Sequence, residues 1–117
     1  MKSNIKIKKI NNEISSIIIN EPNTYNSLSF QNLSDLLKAL KKLDSDKKVK
    51  VIILEGAGKG FSAGHNLKEV KGLKKRNKYL KLFNLCSKVM LQIVEGKKPV
   101  IAKVHGAAFA AGCQLVA

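Results

Sequence analysis

The spacing of apolar residues changes along the chain, and each spacing predicts a different element. Residues 4–10 and 13–19 are β-branched and roughly alternating, and they flank Asn11-Asn12, so they predict a β-hairpin. Glu21-Pro22-Asn23 ends it. From Ser29, Leu33, Leu36, Leu37, Leu40 and Leu43 recur every three or four residues, with lysines and Asp35 on the other face. That is an amphipathic helix, stopping near Asp44-Ser45-Asp46. Val49 and Val51-Ile52-Ile53-Leu54 then form a compact apolar run, the pattern of a strand buried on both faces in a parallel sheet.

A glycine-rich loop from Gly56 to Gly64 and a lysine-rich stretch come next. A second amphipathic helix carries the stripe Tyr79, Leu82, Phe83, Cys86, Val89, Met90 and Ile93, and Lys97-Lys98-Pro99 closes it. Val100 to Val104 predicts another buried strand, opening into the small-residue segment His105-Gly106-Ala107-Ala108-Phe109-Ala110-Ala111-Gly112. Strands alternating with helices in this way argue for an α/β fold with crossover connections. There is no internal repeat, low-complexity segment or linker, so residues 1–117 read as one partial domain. The chain stops at Val116-Ala117, a few residues into what should be a new helix. The expectation is an N-terminal portion whose later strands are missing.

Composition adds one tension. The 22 basic and 8 acidic residues give a net charge of +14, enough to attract phosphate-bearing ligands, nucleic acid or anionic membrane. Arg76 is the sole arginine, however, and bidentate recognition of phosphates and bases prefers arginine. Lysine, asparagine and isoleucine rise together, as an AT-rich genome produces without selection for binding. No apolar run reaches the roughly 18 to 20 residues of a membrane span, and MKSNIKIKKI lacks the apolar block of a signal peptide. The expected compartment is the cytoplasm, or the mitochondrion in a eukaryote, with no membrane partner. Cys86 and Cys113 have neither CxxC spacing nor a histidine pair nearby, which argues against a disulfide framework or a zinc site.

The chemistry is concentrated in two loops that leave a strand for a helix through glycine and alanine. The first is Gly58-Lys59-Gly60-Phe61-Ser62-Ala63-Gly64-His65-Asn66-Leu67-Lys68-Glu69, and the second runs from His105 to Gln114. Small residues at a strand-to-helix junction let a ligand approach backbone N–H groups, and the helix N-terminus adds its positive end. Such a place stabilises an oxyanion. Read alone, either loop is better explained as small residues that let a strand and a helix pack; finding both, each after a buried strand, weakens that explanation.

Asn26-Ser27-Leu28-Ser29, the segment Gly60 to Glu69, and Lys98-Pro99-Val100-Ile101-Ala102-Lys103-Val104-His105-Gly106 continuing to Leu115 resemble, in order and spacing, the N-terminal blocks of the crotonase (enoyl-CoA hydratase/isomerase) family. The resemblance covers nearly the whole chain. It implies a crotonase-like spiral of repeated ββα turns, assembled into homotrimers or hexamers, and a role in fatty-acid and acyl-CoA metabolism. It implies that the N–H groups of His65 and Ala111 form an oxyanion hole for a thioester carbonyl, and that Ser62, Ala63 and Asn66 line the path of coenzyme A. Coenzyme A would enter as an acyl thioester ligand and not as a covalently bound cofactor.

Two departures qualify that expectation. Hydratases of the family carry a glutamate at the position of Gln114 and a second glutamate beyond Ala117. An amide neither gives nor takes protons at useful pH, so this chain is expected to lack hydratase activity. Asn66 replaces the usual aspartate but still caps a helix well. His65 has no orienting carboxylate to make it a general base, and His105 reads as a ring bonded to backbone at the end of a strand. A competing class of function is a nucleic-acid-binding module built on Lys68, Lys71, Lys74, Lys75, Arg76, Lys78 and Lys81. Only Tyr79 is available there for stacking, and a solvated helix face explains the same lysines.

Overall fold

The computed structural model describes residues 3–58, 60–62, 64 and 76–104. Among them are four strands, β1 (Ile5–Lys9), β2 (Ile14–Ile19), β3 (Val51–Gly56) and β4 (Val100–Lys103). Two α-helices, α1 (Phe30–Ser45) and α2 (Arg76–Glu95), supply the crossovers, and a single 3-10 turn spans Pro22–Thr24. The sheet order is β1-β2-β3-β4. β1 and β2 are the expected antiparallel hairpin, with Ile7 opposite Ile17. β2 pairs parallel with β3, placing Ile17 beside Leu54, and β3 pairs parallel with β4, placing Leu54 beside Ala102. Parallel neighbours need a long return, which α1 and α2 provide.

At the hairpin turn, Asn11 Oδ1 accepts the amides of Glu13 and Ile14 at 2.8 and 2.9 Å, the local bonding that suits asparagine to turns. Helix α1 begins where the Ser29 hydroxyl accepts the Asn32 amide at 3.1 Å. Its end is tied to the connection after α2, because Lys98 Nζ donates to the Leu43 carbonyl at 2.7 Å and the Lys98 amide donates to Asp44 Oδ1 at 3.2 Å. A cation at a helix C-terminus also meets the negative end of its dipole.

One apolar cluster holds these elements together. Ile17, Ile19, Ile52 and Leu54 of the sheet are buried with Leu33, Leu36, Leu40 and Leu43 of α1 and Leu82, Cys86 and Val89 of α2. Each stripe read from the sequence meets the others here. Three expectations need correction. β3 is not buried on both faces: Ile52 and Leu54 are buried, whereas Val51 and Ile53 on the opposite face are only half-buried. The helices cover one side of the sheet, and the other side carries polar groups, including a Ser16 hydroxyl that donates to Glu55 Oε2 at 2.7 Å. β4 is likewise no buried strand. It alternates between half-buried and exposed positions, with Ile101 55% exposed, because among the described residues it pairs only with β3. Phe83, read as part of the core stripe of α2, is 47% exposed. It lies one residue round from Leu82, which takes the buried position.

Candidate functional site

The described part of the first chemical loop is anchored by Asn26. Tyr25 and Asn26 have φ of 54° and 55°, so the chain takes two successive left-handed steps after the 3-10 turn. Asparagine tolerates that conformation better than most residues, whereas tyrosine is strained there. Backbone bonds hold the steps in place: the Tyr25 amide donates to Pro22 O at 3.0 Å and the Asn26 amide to Glu21 O at 2.9 Å. The Glu21 carboxylate further accepts from Asn4 Nδ2 at 2.6 Å, from Ser27 Oγ at 3.1 Å, and from the Thr24 hydroxyl.

The turn sends the buried Asn26 side chain under the loop that leaves β3. Its Oδ1 accepts the Glu21 amide at 2.9 Å. Its Nδ2 donates to the carbonyls of Ala57, Gly60 and Phe61 at 2.7, 3.1 and 3.1 Å. Ser62, one of the residues assigned to the coenzyme A path, is 1% exposed. Its hydroxyl donates to the Asn26 carbonyl at 2.8 Å and accepts the Gly64 amide at 3.1 Å, so its oxygen is engaged within the loop. The Gly64 carbonyl in turn accepts the Leu28 amide at 2.6 Å. Gly64 has φ of 86° and Gly58 has φ of 84°, values that an L side chain rarely adopts, which accounts for glycine at both positions.

A hollow of about 360 Å³ lies beside this loop, between Pro22, Asn23 and Tyr25 on one side and Ala57, Gly58 and Gly60 on the other. A larger groove of about 480 Å³ runs between α1 and α2 and shares no residue with the loop. Among the described residues, no group of histidine, cysteine and acidic side chains could hold a metal ion.

Of the residues singled out in the sequence, Ser62 is therefore placed within the anchored loop. Ala63, His65, Asn66, Ala111 and Gln114 lie outside the described residues, as do His105, Cys113 and lysines 68–75. Lys78 and Lys81 on α2 are exposed. The residue that sequence reasoning passed over is Asn26, named there only as part of a block. The available signal was the type of residue, an asparagine just after a Pro-containing turn and before a helix cap.

The pattern of the enoyl-CoA hydratase/isomerase family matches residues 9–117. Enoyl-CoA hydratase domain-containing protein 3, mitochondrial, from Xenopus laevis is 42% identical over 101 residues, 86% of this chain and 34% of that protein. Its human counterpart is 41% identical over 104 residues, 89% of this chain and 34% of that protein. These are the proteins that the blocks Ser62 to Glu69 and Ala110 to Ala117 resemble. Among solved structures, an enoyl-CoA hydratase of Mycobacterium smegmatis superposes with a TM-score of 0.92 at 39% identity, covering 97% of this chain and 44% of that one. Human enoyl-CoA hydratase domain-containing protein 3 superposes with a TM-score of 0.90 at 37% identity, covering 96% of this chain and 44% of that one. The chain thus spans about a third of the length of these curated relatives. The names of those relatives place them in mitochondria. Among the described residues no helix is long and apolar enough to cross a membrane. With a family pattern over nearly all of its length and this agreement in fold, the chain belongs to the enoyl-CoA hydratase/isomerase, or crotonase, family.

Proposed function

We propose that this protein binds an acyl-CoA thioester and polarises its carbonyl between the backbone N–H groups of His65 and Ala111. The observation that carries the reading is the 2.6 Å bond from the Leu28 amide to the Gly64 carbonyl. A trans peptide unit carries its N–H opposite to its C=O. The unit that begins at the Gly64 carbonyl ends, by connectivity, at the His65 nitrogen. Anchoring the carbonyl on Leu28 therefore favours one direction in which this unit can donate, away from the segment 26–28. A donor fixed before the ligand arrives costs no reorganisation during reaction, which is the requirement for an oxyanion hole.

When a thioester is converted to its enolate, negative charge builds on the carbonyl oxygen. Two fixed donors favour that charged state over the neutral ground state. The hollow between Tyr25 and Gly58 offers coenzyme A a surface next to the loop. Ala63 and Asn66 would line its path, whereas Ser62, 1% exposed and bonded within the loop, would support that path from beneath. Gln114, in the second loop, can orient a water or a carbonyl but transfers no proton, so the reading is thioester binding and carbonyl polarisation without efficient hydration. Homotrimer or hexamer assembly belongs to the same proposal.

The test uses butyryl-CoA labelled with ¹³C at its carbonyl. A downfield shift of the bound carbonyl is expected, with loss of that shift in His65→Pro, which removes the N–H. Binding without any carbonyl shift would overturn the reading. Salt separates it from the nucleic-acid alternative: binding of a single-stranded oligonucleotide that is tighter than butyryl-CoA binding and falls steeply with salt would favour the lysine surface instead.

A further inference from the structure

We infer that Asn26 is a positioning residue for the loop that delivers the first oxyanion donor, an inference that rests on the acyl-CoA reading above. Asn26 is 1% exposed, so its polar side chain is held away from water and has been given partners instead. The partners all belong to backbone. One oxygen accepts the Glu21 amide, and one NH₂ group is shared among the carbonyls of Ala57, Gly60 and Phe61. A single side chain thus joins the turn after β2 to both limbs of the loop that follows β3.

The arrangement requires both halves of the amide. Aspartate has nearly the same shape and could accept from Glu21, but its carboxylate would present oxygen to three carbonyl oxygens. Glutamine would carry the amide one methylene farther and out of register with these partners, and Gly56 lies close against the amide of asparagine. A Cβ added there would lie 2.8 Å from Asn26 Nδ2. The amide passes directly over a glycine and is confined by it.

The consequence reaches the donor through a short relay. The Asn26 side chain holds the Phe61 carbonyl, and the next residue, Ser62, donates its hydroxyl to the main-chain carbonyl of Asn26 at 2.8 Å and accepts the Gly64 amide at 3.1 Å. The Gly64 carbonyl returns to Leu28, two residues beyond Asn26, at 2.6 Å. The peptide unit ahead of Gly64 and the one after it are therefore both referenced to the 26–28 segment. Carbonyls turned toward Asn26 also turn the N–H groups of their own peptide units away from it. Removing the Asn26 donor takes a partner from the half-buried carbonyls of Ala57 and Gly60, which water can reach, and from the buried Phe61 carbonyl, whose peptide unit must rotate to find another. A rotation of that kind misdirects the oxyanion donor while leaving the sheet and helices in place.

The experiment compares the full wild-type chain with Asn26→Asp and Ser62→Ala. Three quantities are read: amide hydrogen exchange in β2, β3 and at Leu28 and Gly64, affinity for butyryl-CoA, and the ¹³C shift of its bound carbonyl. Asn26→Asp is expected to keep the protection of β2 and β3, to speed exchange at Leu28 and Gly64, and to weaken binding by about 10- to 100-fold with a smaller carbonyl shift. The introduced carboxyl faces carbonyl oxygens, which favours its protonated form, and a protonated acid can donate. Part of the carbonyl shift should therefore return between about pH 8 and about pH 5 in Asn26→Asp, with no such return in wild type. Ser62→Ala, which cuts the relay one step later, should lower the shift without the pH-dependent recovery. Should Asn26→Asp prove too unstable to purify, Ser62→Ala carries the test alone through exchange at Gly64 and the carbonyl shift. Unchanged exchange at Leu28 and Gly64, or lost stability with an undiminished carbonyl shift, would overturn the positioning role. If wild type gives no carbonyl shift while Asn26→Asp still loosens Leu28 and Gly64, it is the acyl-CoA reading that fails, and the role of Asn26 in delivering a donor fails with it.

Discussion

The Phe61 carbonyl occupies the place where a side chain on Gly56 would be: a Cβ there would lie 2.2 Å from the carbonyl oxygen and 2.9 Å from its carbon. β3 ends at Gly56, and the loop folds back across that residue within five positions. The contact is between backbone and backbone, so no side-chain rotation relieves it. Glycine is needed here for space, because the Phe61 carbonyl must approach closely enough to share the Asn26 amide.

Gly56→Ala is accordingly expected to destabilise the fold by about 1 to 3 kcal/mol, the usual cost of overpacking a filled site. Urea unfolding reads this as a lower midpoint with an unchanged slope. A midpoint equal to that of wild type would mean that the loop can lift off β3 at no cost, and the close crossing would then lose its structural importance.

Ser29→Ala should cost about 1 kcal/mol, because the Ser29 hydroxyl is the N-cap of α1 and accepts the Asn32 amide at 3.1 Å. The neighbouring bond from Asn32 Nδ2 to the Ser27 carbonyl at 2.8 Å remains, which limits the damage to the helix start. Ser29→Asp restores an acceptor and adds a negative charge at the positive end of the helix, so it should recover most of the loss. Equal stability of all three proteins by thermal melting would show that the cap contributes nothing.

Much of this architecture was legible from residue spacing. Leu33, Leu36, Leu40 and Leu43 predict both the helix and its buried face because the periodicity of a helix is a property of neighbours in sequence. The hairpin is legible for the same reason. Burial of β3 and β4 was overestimated because an apolar run does not say what covers it. Val51, Ile53 and Ile101 have the same composition as a buried strand and differ only in what lies opposite. The loop anchor was illegible for a further reason. Asn26 meets Ala57, Gly60 and Phe61 from 31 to 35 residues away, and it meets them through carbonyls that every residue possesses. Chemical identity carries no signal for such a partner. The proposed donors and Gln114 stand on the resemblance of whole blocks, and they lie outside the described residues.

Cys86 supplies a pH-dependent prediction. Burial in the cluster beneath α2 removes the thiol from water and raises its pKa above the ordinary value. In the unfolded chain the thiol ionises near its usual pKa of about 8.5, whereas the folded chain still holds the proton. The unfolded state then binds fewer protons than the native state, and stability falls as pH rises. This contribution is fully present below the unfolded pKa and is lost on passing through the folded one. Cys86→Val keeps an apolar group at the site and removes the titration. Wild type should therefore lose stability more steeply than Cys86→Val above about pH 8.5, with parallel curves below it. Parallel curves throughout would show that the Cys86 thiol ionises as readily in the native state as in the unfolded one.

Gln114 decides the last prediction. Adding water to an enoyl thioester requires a proton to leave the attacking water and a proton to reach the α-carbon, and a carboxylate at this position can take part in that exchange where a carboxamide cannot. General acid-base assistance is typically worth about 10²- to 10⁴-fold in rate. Polarisation of the carbonyl by backbone donors does not replace it, since those donors stabilise charge on oxygen but move no proton. Wild-type protein is therefore expected to give no hydration of crotonyl-CoA above a mock purification, followed by loss of the enoyl thioester absorbance at several protein concentrations. Gln114→Glu should leave binding of butyryl-CoA within a few-fold and, wherever hydration becomes measurable, run at least about 10²-fold faster than wild type. The comparison of binding with rate matters, because a substitution that merely repaired the fold would improve both. Turnover by wild type in proportion to protein concentration would sink the prediction and would require another proton-transferring group near the thioester. Hydration absent in both proteins, with butyryl-CoA still bound and its carbonyl still shifted, would assign the missing step to a second group and leave Gln114 as an orienting amide.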